Sequence, residues 1–356
     1  VSGSKHLSCP YKTRPNHSYW KNSIAGPKAN QVDPVIKPKF KFHKKTKVAT
    51  AGSCFAQHLS RHIKLLGFNY YVPESAPRII SDEIAQQYNY GVFSCRYGNI
   101  YTSKQLVQTF DRAFGNIQFD KYWKEGNQFY DPLRPFVNPN GFASLDELIN
   151  DRIYHLSKVK EMFENLDIFI FTLGLTESWI DRENDIVYPV CPGCGVGNFN
   201  KYKYKFYNES IYDVITNLLN FNRKLLAVNP QAKIILTVSP VPLIATMENK
   251  HVLVANTYSK STLRVAAHEV EKENKHIDYF PSYEIITGNF NKGAYYYDDL
   301  RTVRPHGVQH VMNIFTKHYI NMQDIQENNG SRFQSSQSAK EEQDIDVVCD
   351  EELMMK

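Results

Sequence analysis

Gly52-Ser53-Cys54-Phe55-Ala56 is the stretch on which the fold turns. Before it lies Lys47-Val48-Ala49-Thr50-Ala51, a strand candidate entered from a polar, basic lead-in. After it, Phe55, Leu59, His62/Ile63 and Leu66 recur at helical spacing as far as Gly67, which is the pattern of an amphipathic helix with a glycine stop. A buried strand therefore meets a helix within five residues, and Gly52 frees the backbone to turn sharply there. Open α/β sheets build their sites at the carboxyl ends of parallel strands. Ser53 and Cys54 fall at that edge and at a helix N-terminus, where the positive end of the dipole lowers a thiol pKa and favours a developing oxyanion.

The alternation of strand and helix continues outward, as in a doubly wound α/β fold. Phe68 to Val72 reads as a short aromatic strand. Leu145 to Glu164 reads as a helix opened by a capping box, Ser144 with Glu147. It leads into the apolar run 167–172, typical of a central parallel strand. A helix over 210–228 feeds a strand over 233–238, a helix over about 256–273 precedes a strand over 277–280, and a last helix runs from Pro305 to about Met322. Residues 73 to 143 and 180 to 208 break the pattern; aromatic and turn-rich, they are expected to lie over the carboxyl edge and shape a cleft. The plan is thus a basic arm over 1–46, an α/β domain over 47–322 and an acidic tail over 323–356 whose composition is that of a disordered segment.

Four further blocks follow the first in order: Tyr97-Gly98-Asn99-Ile100-Tyr101-Thr102, Thr172-Leu173-Gly174-Leu175-Thr176-Glu177-Ser178-Trp179, Thr237-Val238-Ser239-Pro240-Val241-Pro242-Leu243 and Phe280-Pro281-Ser282-Tyr283-Glu284. On these blocks the chain resembles the GSCFA-domain family, grouped with the SGNH (GDSL-like) hydrolases, over roughly residues 47 to 315. The resemblance implies an SGNH-like three-layer α/β/α fold with a parallel sheet and cleft-forming insertions. In SGNH enzymes the first block is Gly-Asp-Ser, the serine being the nucleophile. Aligned without a gap, Gly52 matches the glycine and Cys54 the nucleophile; shifted by one, Ser53 becomes the nucleophile but Ala51 replaces the glycine. Cys54 is the stronger chemical candidate, since a thiolate needs less activation than an alkoxide. The plainer alternative is a small buried cysteine.

By the same resemblance Gly98 supplies a backbone N–H to an oxyanion hole, with the Asn99 amide beside it. Gly174-Leu175-Thr176 takes the place of a Gly-x-Asn block, with threonine for asparagine; its hydroxyl has one proton to donate. Glu177 follows as a carboxylate to orient a base or bind a sugar hydroxyl. The final Asp-x-x-His of the superfamily falls on Asp299, but the residue three on is Thr302. His306, one helical turn later, is then the candidate base, with His251 and His58 as competitors. Arg301 and Arg304, beside Asp298 and Asp299, suit a phosphate or carboxylate or else a salt-bridged loop. In Tyr258-Ser259-Lys260, adjacent helical positions face different ways, which favours ligand contact by Lys260 or Arg264 over a Ser-Lys dyad.

Cys191-Pro192-Gly193-Cys194 is a lone CxxC, and a structural zinc needs two more ligands. No metal or cofactor is expected. Six cysteines in 356 residues are too few for a disulfide scaffold. The net charge of +5 is uneven: through residue 49 eleven Lys/Arg face the single Asp33, so the remainder carries −5. A basic arm with interleaved aromatics suits nucleic acid, yet no nucleic-acid fold motif accompanies it; an arm wrapping the domain is the expectation. No run of eighteen apolar residues predicts a membrane span, and the polar N-terminus lacks a signal-peptide core, so the expected compartment is the cytoplasm. The resemblance points to hydrolysis or transfer of an acyl group on a small-molecule or saccharide substrate, in bacterial surface polysaccharide metabolism. The departures at Thr176 and Thr302 leave a second expectation, a binding protein without hydrolytic power that assists polysaccharide synthesis. Oligomeric state is not legible.

Overall fold

The computed structural model describes residues 9–321, Asp350 and Glu352. In chain order it comprises β1 (Val48–Gly52), α1 (Ala56–Leu65), α2 (Asp82–Gln87), α3 (Ser103–Ala113), β2 (Trp123–Glu125), β3 (Gln128–Tyr130), α4 (Leu145–Asn165), β4 (Ile168–Leu173), β5 (Glu177–Asp181), β6 (Val187–Tyr188), β7 (Tyr204–Asn208), α5 (Ile211–Val228), β8 (Lys233–Val238), α6 (Val252–Glu273), β9 (Ile277–Tyr279), α7 (Ser282–Thr287) and α8 (Pro305–Tyr319). The main sheet is parallel, in the order β1-β4-β8-β9, with Gly52 level with Thr172 and Thr172 level with Thr237.

Successive residues of a strand face opposite ways, and both faces of this sheet are covered. Ala49, Ala51, Phe169, Phe171, Ile234 and Leu236 pack against α3, α4, α5 and α6. Val48, Ile168, Ile170 and Ile235 pack against α1, α7 and α8. Burial on both sides is why β1, β4 and β8 read as unbroken apolar runs. In the first layer Phe110, Phe163, Phe169 and Phe221 interlock at centroid separations of 5.2 to 6.1 Å, mostly tilted or edge to face, the arrangement aromatic quadrupoles favour.

Several elements depart from the sequence expectations. Phe68 to Val72 makes a single parallel bridge, Val48 with Tyr70, rather than a strand. The Ser144 hydroxyl accepts from Glu147 N–H as expected, but the Glu147 carboxylate reaches back to Ala143 N–H. α6 begins at Val252 because His251 caps it, its Nδ1 accepting from Leu253 N–H. The 73–143 stretch is not all insertion: α3 is a helix of the core layer, started by Thr102, whose hydroxyl accepts from Gln105 N–H. Residues 180–208 contribute to an antiparallel sheet, β6-β5-β7. Trp123 from one stretch stacks on Tyr188 from the other at 5.8 Å, with Phe119 and Tyr204 in the same cluster.

The arm wraps the domain. Phe42 is fully buried between Phe68 and Phe315, Asp33 pairs with Lys317 and His318, and Lys39 N–H donates to Asp278. Tyr11 and Trp20 stay exposed. Of the acidic tail, Asp350 and Glu352 are described and lie against the carboxyl edge; the rest of the expected disordered segment falls outside the described residues. Among those residues, no helix is long and apolar enough to cross a membrane.

Candidate functional site at the carboxyl edge

The corner after β1 is fixed from three sides. Gly52 has φ of +136°, and a Cβ there would lie 2.4 Å from the Thr172 carbonyl oxygen. Ser53 N–H donates to that same oxygen at 3.1 Å, and Ile100 N–H donates to the Gly52 carbonyl at 2.9 Å. The loop carrying Gly98 and Asn99 is thereby pinned to the last residue of β1. On the far side Gly174 N–H donates to Tyr101 O at 2.9 Å, and an added Cβ at Gly174 would meet Ser53 Cβ at 3.1 Å.

Ser53 points inward, its Oγ buried and without a hydrogen-bond partner among the described residues. Cys54 is 3% exposed yet belongs to neither main core cluster. α1 starts at Ala56, so the N–H groups of Cys54 and Phe55 precede its hydrogen-bonded ladder. Helix starts leave such donors free. Gly98, at φ of +68° with open space where a Cβ would be, likewise presents a backbone N–H with no acceptor among the described residues. The Asn99 amide, itself buried, donates to the Asp350 carboxylate at 2.8 Å. Arg301 reaches Glu352 at 3.5 Å and also donates to Pro242 O, just beyond β8. Asn99 and Arg301 thus grip carboxylates two residues apart, and two residues span at most about 7 Å.

Other residues singled out from the sequence are turned elsewhere. Thr176 gives its single hydroxyl proton to Asn208 Oδ1 at 2.6 Å, which leaves none for an oxyanion. Glu177 accepts from the Thr246 hydroxyl at 2.6 Å and Met247 N–H at 3.2 Å, and burial raises its carboxyl pKa. It holds the loop after β8. Asp299 is bound into its own turn: burial would raise its pKa, but the Thr302 hydroxyl and the Arg301 and Thr302 N–H groups outweigh that and lower it. His306 is exposed, its ring 5.4 Å from that of Tyr295. His251 is exposed and spends its Nδ1 lone pair on the cap of α6. His58 packs on Phe55, and burial, then Arg61, pushes its pKa down to about 4. Among the described residues no histidine is hydrogen-bonded to Ser53 or Cys54.

Lys260 is not a surface ligand contact. It is 2% exposed and donates to Gly174 O at 2.6 Å, while neighbouring Ser259 accepts from Thr176 N–H at 3.0 Å. Both therefore hold the turn between β4 and β5. Arg264 pairs with Glu284 at 2.5 Å and stacks on Tyr279. Arg304 donates to Tyr296 O and pairs with Asp298, making a salt-bridged loop.

A cleft of about 260 Å³ opens beside the corner, lined by Tyr101, Leu175, Trp179, Phe206, Leu243 and Met247 among others. One wall, with Trp179, Tyr188 and Phe206, comes from the β6-β5-β7 sheet, which single-sequence patterning did not resolve; Leu243 and Met247 come from the loop after β8. Cys191 and Cys194 also line it; burial, then the neighbouring Cys194, pushes the Cys191 thiol up to about 12. Among the described residues no group of three His, Cys, Asp or Glu side chains gathers as a metal site.

Parallel strands between two helical layers, with a glycine corner and converging N–H donors at the carboxyl edge, define a three-layer α/β protein with an edge-sited cleft. Its family follows from the sequence: the chain belongs to the GSCFA family, whose profile matches residues 47–315. No curated protein matches it. Among solved structures, it is similar to a mutant acetyl esterase with acetate ion (13% identity, 80% of this chain and 99% of that one, TM-score 0.35). It is also similar to a carbohydrate esterase family 3 protein from Talaromyces cellulolyticus (12% identity, 76% and 95%, TM-score 0.35).

Proposed function

We propose that the protein hydrolyses or transfers an acyl group carried by a small molecule or saccharide, with Cys54 as nucleophile. The observation that carries this reading is the grip of Asn99 and Arg301 on two carboxylates beside the β1 corner, where the carboxylate of an acyl product would lie. In this reading the Cys54 thiolate attacks the carbonyl carbon. The N–H groups of Cys54 and Gly98 and the Asn99 amide hold the oxyanion. The C–O bond to the alcohol breaks, and the alcohol leaves with the proton taken from Cys54. Water then splits the thioester into a carboxylic acid and the thiol; an acceptor hydroxyl in place of water makes the same site a transferase. His306 is the proton carrier, since its ring nitrogens make no hydrogen bond among the described residues, whereas His251 has committed a lone pair. The aromatic walls of the adjoining cleft suit the face of a sugar. We place the activity in bacterial surface polysaccharide metabolism.

A second reading, a carboxylate-binding protein without chemistry, is favoured by one observation: no histidine is hydrogen-bonded to Cys54 or Ser53 among the described residues. Aryl-ester and acetylated-sugar turnover, with iodoacetamide labelling followed by peptide mass, separates the two. Turnover and rapid labelling lost in Cys54→Ala but kept in Ser53→Ala support the cysteine nucleophile. Loss in Ser53→Ala alone moves the role to serine. No turnover, with Cys54 labelling no faster than Cys9, leaves the binding protein.

A further inference from the structure

Beneath the 97–101 loop, between α3 and α4, lies a cavity of about 20 Å³ walled by guanidinium groups. Four buried arginines surround it, with the buried carboxylates of Glu74 and Asp131 and the half-buried one of Asp151. Arg96 pairs with Asp151 at 2.7 Å and lies 3.9 Å from Glu74; Arg134 pairs with Asp131 at 3.1 Å and Asp151 at 2.9 Å; Arg152 pairs with Asp131 at 3.2 Å. Arg112, only 8% exposed, makes no ion pair among the described residues; it feels the charge of Asp131, which Arg134 and Arg152 already share. His155 hydrogen-bonds to Glu74 at 2.7 Å, and burial, then Arg134, lowers its pKa despite that carboxylate. The neighbouring pairs Lys104–Asp185 and Lys224–Asp111 are balanced, and the extra carboxylate on Lys121, that of Glu183, is exposed to solvent. One positive charge is therefore left uncompensated in the interior, among the costliest arrangements a fold can bury. Burial lowers the Arg112 pKa only to about 10, so it stays charged at neutral pH.

The cavity is lined by the two groups with unspent donors. Among the described residues, Arg112 Nη2 and Arg134 Nη1 are buried with no hydrogen-bond partner, and both residues line it. No acidic side chain does. The other polar walls are already engaged: Gln105 with Tyr101 N–H and Asn99 O, Gln108 with Val187 N–H and Asp185 O, Thr109 with Gln105 O, and Tyr97 with Thr50 O. The volume admits about one water-sized occupant, which excludes phosphate and acetate.

We propose that this cavity binds one monatomic anion, a halide, held between Arg112 and Arg134. The bound ion supplies the missing negative charge and accepts both free N–H groups. It also braces the loop that carries Gly98 and Asn99, because Gln105 in the cavity wall ties that loop at two points, each 2.9 Å. The inference is independent of any reaction at Cys54.

Thermal melts of the full chain in sodium chloride or bromide, against gluconate at matched ionic strength, test it. Gluconate is too large for the cavity. A halide-specific, saturable rise in Tm of about 2–4 °C is expected, absent from Arg112→Met. Crystals in bromide should show an anomalous peak between Arg112 and Arg134. Equal melting in all three salts, or a water with no anomalous signal, overturns the proposal. Both outcomes are read on the unaltered protein, so a misfolded Arg112→Met leaves the test intact.

Discussion

At the scale of single residues, two glycines of left-handed φ separate close approach from backbone freedom. A Cβ on Gly52 would meet Thr172 O and N at 2.4 and 2.7 Å, whereas one on Gly98 meets nothing within 4 Å. Gly52→Ala is therefore expected to cost more than about 3 kcal/mol, because backbone on a neighbouring strand must give way. Gly98→Ala should cost only the backbone strain, about 1–2 kcal/mol. Urea denaturation of both variants checks the order, and equal losses would mean that β1 and β4 do not clasp at this corner. The corner was legible from five residues because it is local. The direction of the Thr176 proton was not, since it is set by Asn208 on a strand that pairs from a distance. Ser259 and Lys260 illustrate the same limit: adjacent on a helix, they serve one turn because a lysine stem is long enough to come round.

Among elements, α1 matters most, because it carries the corner and packs its histidines inward. His62 hydrogen-bonds to Thr316 of α8 at 2.7 Å, and burial pushes its pKa down to about 4, as for His58. Both folded values lie below the ordinary 6.5, so the folded protein binds fewer protons than the unfolded chain. Their contribution is fully present above about pH 6.5 and is lost as pH falls toward 4. Between pH 7 and 5 the loss is at most about 2 kcal/mol per histidine. Denaturation midpoints at the two pH values should show this slope, and His62→Gln, which can keep the bond to Thr316, should remove about half of it. An unchanged slope in that variant would place the titration elsewhere. Long periodic elements such as α4, α5 and β8 were readable to within a residue or two. α3 was missed because a single helix of eleven residues sat inside a turn-rich stretch, and its Thr102–Gln105 start was the signal to use.

For the whole molecule, alternate residues of a four-stranded sheet separate two cores, and chain from outside the α/β domain closes over both its flank and its edge. The arm buries Phe42 on the flank, as its aromatic content suggested; the basic charge itself remains at the surface. No sequence pattern pointed to Asp350 and Glu352 at the edge, because those contacts join positions 251 and 51 residues apart and rest on single carboxylates. A carboxylate that belongs to the same chain has a local concentration that dilution cannot lower. Any anionic or acyl ligand entering beside Asn99 competes with it on unequal terms. Asp350→Ala should therefore lower KM for such a ligand roughly tenfold, the worth of one charge-assisted hydrogen bond, while leaving kcat alone. That difference should be the same at every protein concentration, which is the signature of a competitor built into the polypeptide rather than dissolved beside it.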